Sequence, residues 1–584
     1  MSTAFLFCNE RNAGLPIRET RIVAASCRSL RFPTLHLPVS PTGRGRLRSR
    51  TCSETLSPNP YYASRTNKQL GVLMMKYLIL DYLEATAARL PEKIAFTDEN
   101  SDLSFGELVR LSRAVGSALS RHVAPRTTVG FYMDKSVQTV AGFFGAVYAG
   151  CAYSQLNLRH PVVRIRAILD TLAAPVVVTD RAHEQALRAM EVTGEILILE
   201  DLLESEIDET ALARIRRQML DIDPLYVNFT SGSTGTPKGV IICHRNVCDF
   251  IPCFTEIFEI TQDDVLANQA PFDFDVSVKD IYSGIFTGAC VAIIPTAYFT
   301  QPTKLMDFLC DKGATVLVWA VSALCFITTM NALDYKTPEK LRTIMFSGEV
   351  MPIKHLNKLK KYLPQVTYVN LYGPTEITCN CTYYIVDREF EANENLPIGI
   401  PFPNERILLL DENDKEVAPG GVGELCVSGT AVALGYFGDS ERTKAAFVQN
   451  PLNKTHNEII YRTGDLVRLT EEGELVYVSR KDFQIKHMGH RIELGEIETA
   501  LSAVPGVERA LCMYLHDKGK ILAFTTGEAD KAAITQALHV SLPSYMIPNI
   551  FMQVDEMPMT KNGKIDRNAL MELYKNKKRG GRNG

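Results

Sequence analysis

Residues 226–240 read YVNFTSGSTGTPKGV. They place two Ser, three Thr, three Gly and one Lys in a short loop behind the mostly apolar run 225–229. Gly232, Gly235 and Gly239 let the backbone approach a ligand closely. Ser231, Ser233, Thr234 and Thr236 add hydroxyl donors, and Lys238 adds a point charge suited to phosphate. Successive N–H groups beside one ammonium make a phosphate cradle. The spacing is not G-x-x-x-x-G-K-[ST], because the Gly and Lys positions differ. A plain flexible turn would explain an isolated SGSTG, but not the whole string.

The chain has 584 residues, too many for one core, so two or more domains are expected. Net charge is −4, which gives no bulk field for nucleic acid or an anionic membrane. The 14 cysteines are scattered without C-x-x-C, which argues for reduced thiols and a cytoplasmic setting. The most apolar run, 139–153, is short and Gly/Ala-rich, and reads as a buried helix rather than a membrane span. Residues 1–74 are Arg-, Ser- and Pro-rich and poor in acids. They read as a disordered or non-native extension ahead of Met75, with an organelle transit peptide as the alternative. From Thr127 onward, apolar runs at 129–133, 176–179, 291–295, 315–319 and 343–346 predict strands. Segments 161–173 and 303–312 predict helices, and the alternation predicts an α/β fold.

Further strings follow the loop in order. They are NLYGPTE at 370–376, YRTGD at 461–465, RKDFQIKHMGHRIELGEIE at 480–498, LPSYMIP at 542–548 and NGKIDR at 562–567, with LSFGEL earlier at 103–108. Together with TSGSTGTPKG they resemble the adenylate-forming enzymes: acyl-CoA synthetases, luciferases and peptide-synthetase adenylation domains. The resemblance covers roughly 77–573. It implies a large N-terminal domain of packed subdomains (75–481) and a small mobile α+β C-terminal domain (482–573), followed by a basic tail (574–584). It also implies the chemistry: ATP and a carboxylate give an acyl adenylate and pyrophosphate, and a thiol then takes the acyl group.

The resemblance assigns roles residue by residue. Thr230, Ser231, Gly232, Ser233, Thr234, Gly235 and Lys238 hold the departing pyrophosphate. Thr375 contacts the α-phosphate, and Glu376 is the Mg²⁺ ligand, as a hard cation prefers carboxylate oxygen. Tyr372 and Gly373 lie at the adenine, Asp465 at the ribose hydroxyls, and Arg480 adds a donor there. Lys564, in NGKIDR, enters the site when the small domain swings in and stabilises transition-state charge. Asp482 is the hinge.

On the substrate side, PFDFDVSVKDIY at 271–282 aligns with the motif whose Asp binds an amino acid's α-ammonium. Asp275 takes that role; as an isolated residue it suits equally well a helix N-cap. The pocket carried over by the resemblance is Asp275, Val276, Lys279, Val318, Met345, Ser347, Leu371, Cys379 and Asn380, small and partly polar. FSGEVMP at 346–352 and the 481–498 segment look like D-alanine–carrier protein ligase, although Ser347 stands where Cys is usual. The pocket string partly resembles serine-activating domains. Lys279 departs from both; pointing inward it favours an acidic side chain, and otherwise it snorkels to solvent. LNLRHP at 156–161 also departs from the family's usual string.

These observations lead to an ATP- and Mg²⁺-dependent ligase that activates a small amino acid, D-alanine first. It would load the phosphopantetheine of a separate carrier protein, since 574–584 holds no carrier motif. The alternatives are an acyl-CoA synthetase for a small carboxylic acid, a stand-alone peptide-synthetase adenylation protein for serine or another small amino acid, and a catalytically silent homologue.

Overall fold

A computed structural model describes residues 78–232, 236–391, 394–516, 518–559 and 565–580. The extension 1–74, Ser233, Thr234, Gly235 and Lys564 lie outside the described residues.

Two large sheets form the body. In the nine-stranded sheet, parallel strands Ile94–Thr97, Cys290–Ile293, Val265–Asn268, Val316–Ala320, Thr343–Ser347 and Thr367–Tyr372 run side by side. Antiparallel strands close both edges. The central strands are buried almost throughout, which is why they read as continuous apolar runs rather than alternating ones. The seven-stranded sheet holds Thr128–Tyr132, Ala152–Leu156, Val176–Thr179 and Pro224–Thr230 in parallel, with Lys238–Cys243 antiparallel to the last. A third, five-stranded sheet carries Ile459–Leu469 and Leu475–Arg480.

The strands predicted at 129–133, 176–179, 291–295, 315–319 and 343–346 fall on observed strands within a residue or two. The helices predicted at 161–173 and 303–312 are Val162–Leu172 and Pro302–Asp311. The reading of 139–153 as one helix is corrected. The buried helix is Val137–Tyr148, after which Gly150 turns at φ 73° and the chain enters strand Ala152–Leu156. Apolar content alone cannot separate a buried helix from the buried strand that follows it. Among the described residues no helix is long and apolar enough to cross a membrane.

The C-terminal part has its own core, built from Ile485, Ile492, Ile497, Leu501, Ile521, Leu538 and Met546. A two-stranded hairpin, Gln484–His487 with His490–Glu493, projects from it toward the larger domain. The contact is partly ionic, through a buried Arg164–Glu496 pair. It is partly aromatic: His490, stacked on Tyr545 of its own domain at 3.6 Å, tilts against Phe274 of the larger domain at 5.7 Å. His160, from the divergent LNLRHP string, meets the Tyr545 hydroxyl at 3.4 Å. That departure therefore sits on the docking face of the small domain.

Candidate active site

The Gly-rich loop connects two antiparallel strands, with Thr230 opposite Lys238. It is a hairpin connection and has no helix behind it, unlike the strand-to-helix loop whose spacing it lacks. Gly232 is needed there: a Cβ would lie 2.1 Å from the Thr236 carbonyl oxygen. Thr230 Oγ1 is buried with no hydrogen-bond partner among the described residues. A buried hydroxyl without a partner is costly unless a ligand satisfies it. An orphaned hydroxyl two residues from a position where only Gly fits suits a phosphate.

Glu376 follows Thr375 on a single tight turn, Thr375–Ile377, and is fully buried. Lys238 Nζ reaches it at 3.2 Å, the Tyr436 hydroxyl donates to it at 2.7 Å, and Arg491 Nη1 donates at 2.6 Å. Burial opposes its charge, but Arg491 and Lys238 prevail and hold the carboxyl well below the usual range. Burial lowers Lys238 to about 8. Among the described residues no cluster of three His, Cys, Asp or Glu surrounds Glu376. A lone carboxylate is the donor set Mg²⁺ takes when substrate phosphates and waters complete its octahedron.

Tyr372 donates its hydroxyl to Asp465, and Arg480 Nη1 bonds the other carboxylate oxygen at 2.6 Å. Asp465 and Arg480 are direct register partners on adjacent strands, so sheet geometry sets that pair. Arg480 also grips Asp482 at 2.7 and 2.8 Å, and Gln484 N–H donates to Asp482 at 3.1 Å. Gly373 is required by packing, since a Cβ would lie 2.4 Å from Asn380 Cα.

Asp275 stands at the N-cap position of helix Val276–Thr287, but its side chain makes no capping bond. The carboxylate is buried, and its pKa is raised by desolvation against the pull of Lys279. Lys279 lies one turn further along that helix, fully buried, with Nζ donating to Asn380 Oδ1 at 2.7 Å. It points inward, not to solvent. Thr378 and Cys379 have φ of 38° and 80°, a left-handed pair outside Gly that marks local strain beside the pocket. Cys379 Sγ donates to the Asp275 carbonyl at 3.1 Å. Val276, Val318, Met345 and Leu371 pack within the main core. Ser347 is buried at the end of its strand, opposite Ala320.

Sequence reasoning missed the hairpin. Lys486 and Arg491 are register partners on it. The Lys486 ammonium lies 5.3 Å from the Tyr372 ring centroid, and burial lowers its pKa while Asp465 and Asp275 oppose that change. The Ser231 hydroxyl, expected on pyrophosphate, donates to the Arg491 carbonyl at 2.6 Å and accepts from Glu493 N–H at 3.2 Å. Glu349 accepts from Gly489 N–H at 2.6 Å. Both hairpin residues stand inside a quoted motif, and the signal available was their two-residue-turn pairing across HMGH.

Two family models match this chain: AMP-binding enzyme over residues 83–437, and AMP-binding enzyme C-terminal domain over 496–564. Tyrocidine synthase 3 of Brevibacillus parabrevis is 33% identical over 84% of the chain, which spans 7% of that relative. Zwittermicin A synthase ZmaJ of Bacillus cereus is 32% identical over 86% of the chain and 96% of its own length. The chain spans less than half the length of several other relatives, such as tyrocidine synthase 1 at 44%. In fold it is similar to holo-PA1221, a nonribosomal peptide synthetase protein containing adenylation and carrier domains, solved bound to a vinylsulfonamide inhibitor. The TM-score is 0.73 at 24% identity, covering 85% of this chain and 84% of that one. On these matches the chain belongs to the AMP-binding enzyme family, the adenylate-forming superfamily that includes amino-acid adenylation domains.

Proposed function

We propose that the protein activates a small amino acid as its aminoacyl-adenylate and passes it to the phosphopantetheine thiol of a separate carrier protein. The observation that carries this reading is Asp275: a buried carboxylate that caps no backbone, next to Thr375 at the phosphate-side turn. A buried carboxylate that caps no backbone is suited to a substrate ammonium. ATP supplies the phosphoanhydride whose cleavage drives activation. Thr230, Ser231, Gly232, Thr234 and Lys238 are the phosphate-binding set, Thr375 holds the α-phosphate, and Glu376 binds Mg²⁺. Tyr372, Gly373, Asp465 and Arg480 take the nucleoside. Val276, Met345, Ser347, Leu371, Cys379 and Asn380 shape the side-chain end.

The domain division at 481/482, with Asp482 as hinge, belongs to the same proposal. With Arg491 on Glu376 and Ser231 on the hairpin backbone, the small domain covers the phosphate side. Adenylation requires it to leave and to bring Lys564 in. The string resemblance points to D-alanine or serine, but it takes no account of the inward-pointing Lys279.

Amino-acid-dependent ATP–pyrophosphate exchange by the purified protein tests the reading. A second reading, an acyl-CoA synthetase for a small carboxylic acid, is favoured by the Lys279 charge acting on Asp275. Exchange with small acids lacking an amino group, and with no amino acid, would select it.

A further inference from the structure

Lys279 brings a full charge into a pocket where an apolar side chain would suffice. Its ammonium carries three donors, and among the described residues it makes one hydrogen bond, to Asn380, and no ion pair. Two carboxylates act on it electrostatically, Asp275 and Asp280. Asp280 is engaged elsewhere: Asn268 donates to its Oδ2 at 2.9 Å, and Lys135 lies on the far side of the same buried network, bonding Asn268 Oδ1 at 3.1 Å. Asp280 therefore faces both Lys279 and Lys135, whereas Asp275 faces Lys279.

That balance changes when substrate enters. Resting on the reading above, the α-ammonium of an amino acid claims Asp275. Lys279 then keeps only Asp280, whose carboxyl burial pushes up to about 7, and an under-compensated buried ammonium is costly in a low-dielectric site. A neutral side chain offers no remedy, whereas a substrate carrying a second carboxylate restores neutrality at Lys279. A second polar group is also unsatisfied: the Tyr226 hydroxyl is buried with no hydrogen-bond partner among the described residues, beside Cys379 and within reach of the Asp275 field. It can donate to the same carboxylate.

We infer that the substrate is an amino acid with a short acidic side chain, its ammonium on Asp275 and its side-chain carboxylate on Lys279 and the Tyr226 hydroxyl. The amide Nδ2 of Asn380, whose Oδ1 already holds Lys279, is a further donor.

The test is ATP–pyrophosphate exchange with the full chain across both enantiomers of aspartate, glutamate, alanine and serine. The expected result is a kcat/KM for one acidic amino acid about 30-fold or more above alanine and serine, the scale of one desolvated charge pair. Lys279→Met should collapse that preference and raise the relative rate with alanine, while Tyr226→Phe should raise KM for the acidic substrate more than it lowers kcat. The wild-type panel decides even if the Lys279 variant folds poorly. Preference for alanine, serine or a bulky aromatic amino acid over both acidic ones would overturn the inference and leave amino-acid activation standing. Exchange with no amino acid would remove both.

Discussion

Arg491, on the hairpin of the small domain, donates to Glu376 of the large domain at 2.6 Å, and both side chains are largely buried. One ion pair thus joins the C-terminal part to the carboxylate proposed for Mg²⁺. The two uses of Glu376 exclude each other, which makes the pair a reporter of which arrangement the enzyme occupies.

Arg491→Ala should therefore separate the half-reactions. Truncating one partner of a buried interfacial pair costs roughly 2–5 kcal/mol, and the loss falls only on the docked arrangement. Transfer from preformed aminoacyl-adenylate to a carrier thiol should slow by about 10-fold or more. Pyrophosphate exchange should change far less. Rapid-quench measurement of each step gives the answer, and equal losses in both would count against the reading.

Lys564→Ala should do the reverse. Removing one positioned donor from a transition state typically costs about 10²–10³ in rate. Adenylation should fall by that amount, while transfer from preformed adenylate stays nearly unchanged.

Asp275→Ala should abolish amino-acid activation, because it strands a buried ammonium. The expected loss in kcat/KM is on the order of 30-fold to several-thousand-fold. Asp275→Asn should not rescue it, since an amide carries no charge. Retained exchange in either variant would remove Asp275 from the ammonium role.

Glu405 yields a pH prediction. Burial pushes its carboxyl up to about 8, against a lowering hydrogen bond from Ala431 N–H at 2.8 Å, and its second oxygen has no partner among the described residues. The folded state keeps this proton while the unfolded chain, at the ordinary 4.5, gives it up. Stability from this group is present below about 4.5 and is lost as pH rises toward about 8, at roughly 1.4 kcal/mol per pH unit. Glu405→Gln should raise Tm at pH 8 and leave it nearly unchanged at pH 5, as read by calorimetry at both pH values.

The strands and helices were legible because buried parallel strands are written as local apolar runs, and segments such as Val176–Thr179 carry that signal in four residues. The strings around Lys238, Glu376 and Asp465 were legible for the same reason, being local. The orientation of Lys279 was half legible: a spacing of four puts it on the helix face of Asp275, but whether it bends to solvent depends on Asn380, 101 residues away. The Ser231–Arg491 contact spans 260 residues, and the Tyr226–Cys379 approach joins two strings with no shared period. Such pairings are set by how domains dock and strands cross over, and no local pattern encodes them. The end of the helix in 139–153 was missed because its Gly turn sits inside an unbroken apolar run.

The central claim is that this site makes an aminoacyl-adenylate. The most direct measurement is mass spectrometric detection of aminoacyl-AMP from purified protein, ATP, Mg²⁺ and a mixture of small and acidic amino acids with small carboxylic acids as competitors. The account expects one aminoacyl-AMP, formed with equimolar pyrophosphate and absent in Asp275→Ala. An acyl-AMP from an acid lacking an amino group, undiminished in Asp275→Ala, would contradict it.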